Sequence, residues 1–144
     1  MKIFRILAFA LIAIFSVLTF ASNDDDKRVS WEVLTNIKMI EQDSRYIPEF
    51  SQEVLDLDGK TIELKGFMMP LDNAETQNEF VLSGSPLGSC FFCIPGGPEA
   101  MVEVFSASGV MFSYDSVVIS GTLELVDDDP MGMFYRMRDA TQVD

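Results

Sequence analysis

A small, mainly β domain is what this sequence predicts, and three observations predict it. Five segments from residue 60 onward alternate apolar and polar side chains with the period of two that a half-buried strand requires. Two of those segments carry a glycine in mid-strand, Gly66 and Gly121, where a bulge or sharp bend is expected. The chain has 144 residues, enough for one modest core once a leader is set aside.

The elements follow in order. Met1-Lys2-Ile3-Phe4-Arg5 is positively charged, and Ile6 to Phe20 is an uncharged run. Thr19-Phe20-Ala21 places small residues where a signal peptidase inspects the chain, so residues 1–21 read as a signal peptide. The alternative is a retained membrane anchor, but the apolar run is shorter than the ~20 residues that span a bilayer comfortably; after cleavage no stable membrane span is expected. Residues 22–30 read as a flexible acidic leader, and residues 31–144 as the domain. Trp31, Leu34, Ile37 and Ile40 fall about three apart and predict a helical face, with Val33 and Thr35 also permitting a strand. "PEFSQEVLDLDG" predicts a short helix with Phe50, Val54 and Leu57 on one side, ended by Asp58-Gly59.

The strands are "KTIELKGFMMPL", "NEFVLSG", "AMVEVFS", "SVVISGTLELVDD" and "GMFYRMRDA". "GVMFSY" at 109–114 is either a further strand or a turn of helix. Mid-strand glycines let one strand serve both halves of a strongly coiled barrel. The expectation is therefore a five-stranded antiparallel OB-like barrel with short N-terminal helical decoration; a β-sandwich is the alternative. Only about ten residues join strands three and four, where an OB-fold often inserts a helix.

Charge narrows the partners. Removing the signal segment takes away Lys2 and Arg5 and leaves 8 basic against 23 acidic residues, a net charge of −15. Such a surface repels nucleic acid and anionic lipid and favours solubility. A signal peptide implies export, periplasmic in a Gram-negative bacterium, and an oxidising compartment.

Chemistry concentrates in one loop. Between the second and third strands, Gly84 to Glu99 carries Gly84, Gly88, Gly96, Gly97, Pro86, Pro95 and Pro98, together with both cysteines, Cys90 and Cys93. A loop of this length and stiffness is built for a defined shape. Three chemistries suit Cys90-Phe91-Phe92-Cys93. One is a local Cys90–Cys93 disulfide in an interaction module that does no chemistry. A ring this short constrains little unfolded chain and stabilises less than the ~3 kcal/mol of longer loops. The second is a metal site, with Cys90 and Cys93 thiolates and Glu99 as a third ligand, zinc ahead of copper. The third is a thiol oxidoreductase, which a Pro95-Gly96-Gly97-Pro98 stretch disfavours because no long helix follows to stabilise a thiolate.

Other candidates have plainer explanations. Met68, Met69, Met131, Met133 and Met137 would suit Cu(I), but methionine also fills irregular cores. Asp127-Asp128-Asp129 reads as a solvated hairpin tip, lacking the spacing of a calcium loop. The chain has no histidine, which excludes Ser-His-Asp and Cys-His catalytic sets within it. A binding or accessory protein is expected rather than an enzyme.

"LDLDGKTIELKGFMMPLD", "FVLSGSPLGSCFFCIPGGPEAMVEV", "VVISGTLEL" and "YRM" resemble the bacterial domain-of-unknown-function family 3299, over roughly Trp31 to Met137. The "CFFC…GPE" segment resembles one branch. In the other branch the loop reads cysteine, any residue, histidine, then prolines ending in asparagine-glutamine. On that pattern Cys90 keeps the cysteine position, Phe92 takes that of histidine and Glu99 that of asparagine. The resemblance implies an exported protein with an accessory role in the envelope, in some members beside ABC-type permeases linked to zinc supply.

Overall fold

The structure is a computed structural model and describes residues 27–42, 45–86, 96–127, 129 and 132–143. Residues 1–21, expected as a signal peptide, and Cys90 and Cys93 lie outside the described residues.

The elements are β1 (Arg28–Val29), α1 (Trp31–Thr35), β2 (Lys38–Gln42), β3 (Arg45–Glu49), α2 (Gln52–Leu55), β4 (Thr61–Pro70) and β5 (Thr76–Ser83). A 3-10 turn (Pro98–Ala100), β6 (Met101–Met111), β7 (Val117–Leu125) and β8 (Tyr135–Val143) complete the chain. "GVMFSY" is thus the end of a long β6 running into a loop, and all five expected strands are present.

Five strands close into a barrel in the order β4-β5-β6-β8-β7 and back to β4. Closure depends on β4 changing partner half-way. Thr61 to Gly66 pair antiparallel with β7, and Phe67 to Pro70 pair antiparallel with β5. Gly66 sits at the switch. A Cβ there would lie 2.7 Å from the Ser83 carbonyl oxygen and 2.8 Å from the Leu82 side chain, so only glycine lets the strands approach. Gly121 performs the same service on β7, where the register with β8 shifts between Ser120 and Thr122. One seam is parallel, between Glu103-Val104 of β6 and Arg136-Met137 of β8; the other four are antiparallel. The sandwich alternative is thereby replaced by a closed barrel, and β6 reaches β7 by a short connection without a helix.

Alternation fills the interior. Ile62, Leu64, Met68, Phe80, Leu82, Val102, Val104, Ile119, Leu123, Tyr135 and Met137 are all buried. The outer face at the parallel seam is tied by charge: Arg136 pairs with Glu103 at 2.8 Å and with Asp129, while Arg138 pairs with Glu124 at 2.9 Å and lies over the Phe105 ring. Asp129, expected on a solvated tip, has a side chain only 3% exposed. Tertiary pairing with Arg136 overrides the local signal; Asp128 lies outside the described residues.

The N-terminal segment differs most from expectation. Arg28 and Val29, expected in the leader, pair parallel with Glu63 and Leu64 on the β4 edge that β5 leaves open. The helix expected over Trp31–Ile40 stops at Thr35. Asn36 adopts φ −81°, ψ 62°, and Lys38–Gln42 pairs antiparallel with Arg45–Glu49. The β-branched Val33, Thr35 and Ile37 make a poor helix, and cross-strand partners reward the extended form. Met39 and Ile40 remain exposed rather than completing a helical face. Val54 of α2 is fully buried, with Phe50 and Leu57 packed beside it, as the spacing predicts. Among the described residues no helix is long and apolar enough to cross a membrane.

Candidate functional site at the foot of the cysteine loop

Strand directions bring several connections to one end of the barrel. Ser83 pairs with Met101, Glu103 with Arg136, and Leu125 with Tyr135. The connection holding Cys90 and Cys93 therefore emerges beside the one from β7 to β8. Gly59 joins them, since its N–H donates to the Leu123 carbonyl at 2.8 Å.

The two roots of the cysteine connection are fastened together. The Gly84 N–H donates to the Ala100 carbonyl at 3.2 Å. The Trp31 ring lies directly on Gly84, so that a Cβ at Gly84 would sit 2.7 Å from the indole. The indole N–H donates to the Lys65 carbonyl at 2.7 Å, which locks α1 to the barrel next to the Gly66 bend. Trp31 is the chain's single tryptophan. Its fluorescence is therefore a reporter of the loop's foot. Trp31→Phe keeps most of the ring and loses the bond to Lys65. It should cost about 0.5–1.5 kcal/mol in urea unfolding and speed proteolytic cutting between residues 84 and 100; unchanged cutting would mean that Trp31 does not hold the loop.

Glu99 sits in the 3-10 turn that ends the loop, with Pro98 at its first position. Proline suits that position because its fixed φ is already helical and it has no N–H to satisfy. The Glu99 carboxylate turns back: Oε1 accepts from the Gly97 N–H at 3.1 Å. One oxygen thus shapes its own turn. Its charge also acts inward. Burial first, then the Glu99 carboxylate, holds the Tyr135 phenol well above its ordinary pKa, so Tyr135 stays a neutral donor. Its hydroxyl donates to the Leu34 carbonyl at 2.6 Å, tying α1 to the first residue of β8.

Of the three residues expected to form a site, the structure places Glu99; Cys90 and Cys93 lie outside the described residues. Among the described residues no group of three or more carboxylate, thiol or imidazole side chains converges as a metal site. Met68, Met69 and Met137, weighed as copper ligands, are core residues 2%, 6% and 0% exposed. Sequence reasoning missed the roles of Trp31 and Tyr135. The lone tryptophan was the available signal, but it does not show what the side chain touches.

The fold defines an OB-like β-barrel domain with an added N-terminal strand, and the sequence between the fastened roots Gly84 and Ala100 carries two cysteines. The chain belongs to DUF3299, a family described as protein of unknown function, whose model matches residues 20–141. Its fold is similar to the crystal structure of a DUF3299 family protein from Pseudomonas aeruginosa PAO1. The two are 25% identical with a TM-score of 0.52, over 67% of this chain and 68% of that one. Comparison with curated proteins found no match.

Proposed function

We propose that this chain is an exported accessory protein of the bacterial envelope. Its Cys90, Cys93 and Glu99 loop binds a soft or borderline metal ion, zinc ahead of copper, and the protein works alongside an envelope transporter. The observation that carries this reading is the fastening of the loop at both roots, with Gly84 bonded to Ala100 and roofed by Trp31. Two thiolates at this spacing chelate one ion, the free oxygen of Glu99 offers a third donor, and water or the partner completes a four-coordinate shell. The strong acidic charge attracts cations and favours delivery to a basic partner surface.

The test is zinc titration of the reduced protein, read by Trp31 fluorescence and against Cys90→Ser. Tight binding that weakens at least about a hundredfold in the variant is expected, because a two-thiolate chelate becomes a single one. Equal affinities would overturn the reading.

A second reading has its own observation. The carboxylate of Glu99 already serves Gly97, which suits an interaction module whose Cys90 and Cys93 form a local disulfide. Protein taken from its own compartment would then be about 2 Da lighter than the reduced chain, and zinc would bind only after reduction.

A further inference from the structure

Away from the cysteine loop, the foot of the β2–β3 hairpin holds a cavity of about 250 Å3 lined by Asn36, Lys38, Glu49, Phe50 and Ser51. Lys38 and Glu49 are direct partners in the hairpin ladder, so their side chains project from the same face. Lys38, Glu49 and Asn36 are exposed, and neither charge forms an ion pair among the described residues. The Asn36 side-chain amide likewise has no hydrogen bond there, and the Ser51 hydroxyl only accepts, from the Val54 N–H at 3.4 Å. Phe50 gives an apolar wall, fixed from behind by the Tyr135 ring at 5.9 Å. One cation, one anion, an amide, a hydroxyl with its proton to give and an aromatic wall thus share one small space.

We propose that this cavity binds a zwitterion of amino-acid size, an α-amino acid with an apolar side chain. The ligand's carboxylate meets Lys38, its ammonium meets Glu49, and its side chain packs on Phe50. Each of the two chain charges thereby gains a countercharge from the ligand. Size agrees: drug-sized pockets start at roughly 300 Å3, and this cavity falls just below them. The inference does not depend on the metal reading, since none of the five lining residues belongs to the Cys90–Glu99 loop.

The experiment is an amide-resolved NMR titration of the protein with L-leucine, N-acetyl-leucine and leucinamide. Leucine should shift the amides of Asn36, Lys38, Phe50 and Ser51 saturably below about 10 mM. Each analogue lacks one charge and should bind at least about tenfold more weakly. Lys38→Met should abolish the preference for leucine over leucinamide, and Glu49→Gln the preference for leucine over N-acetyl-leucine. Equal binding of the three compounds, shifts centred elsewhere, or no saturable response to leucine would overturn the proposal. The analogue comparison is made on the unmodified protein, so a variant that perturbs the hairpin does not rescue the idea.

Discussion

Tyr135→Ala should cost about 3–5 kcal/mol of stability, the range for truncating a fully buried aromatic residue, and should loosen α1 as well as the barrel. The ring is 0% exposed. It packs against Phe50, and its hydroxyl carries the bond that holds Leu34. Tyr135→Phe separates these contributions. It keeps the packing and strands the Leu34 carbonyl, at about 1–3 kcal/mol. Urea unfolding of the two variants checks both figures; equal losses would show that the hydroxyl, not the ring, matters most.

The same residue sets an alkaline limit. An unfolded tyrosine ionises near pH 10, whereas Tyr135 is held well above that by burial and by Glu99. Between those two pKa values the folded state keeps a proton that the unfolded state has lost. Stability is therefore fully present below about pH 10 and falls above it, by up to about 1.4 kcal/mol per pH unit from this one group. Tyr135→Phe should start less stable and lack this slope. Parallel losses with pH in both proteins would count against it.

Gly121→Val should be strongly damaging. A Cβ at Gly121 would lie 2.8 Å from the Arg138 carbonyl oxygen and 2.6 Å from Met137 Cγ. The methionine can turn aside, but a backbone oxygen within a ladder cannot without breaking the pairing. Alanine should cost about 2–3 kcal/mol and valine more. The damage should fall on the β7–β8 seam first, because the register shifts at this glycine. Hydrogen exchange would show it as early loss of protection at Ser120, Thr122 and Arg138; uniform loss over the barrel would refute the local account.

Much of this fold is legible in the sequence, for a physical reason. Inward and outward residues alternate through most of β4 and β7 and at the start of β8, and burial follows that alternation locally. Gly66 and Gly121 are legible too, because a side-chain-free position inside a strand has few other uses. The N-terminal segment is less legible. Its residues have weak local preferences, so the choice between helix and hairpin falls to partners such as Arg45–Glu49 that lie later in the chain. The candidate site divides in the same way. Spacing singles out Cys90, Cys93 and Glu99 as an expectation, with both cysteines outside the described residues, and it does not reveal that Glu99 turns one oxygen onto Gly97.

By itself, then, the sequence determined the five strands, their bends and the acidic charge. Those features follow from composition and short-range periodicity. Only the tertiary structure decided that β4 changes partner at Gly66, that Trp31 roofs Gly84, that Tyr135 holds Leu34, and that Lys38 and Glu49 stand opposed and unpaired. The first three depend on groups far apart in the chain arriving within a few ångströms, a meeting fixed by the closed barrel and what packs on it rather than by any local pattern; the last is set by the register of the separate β2–β3 hairpin.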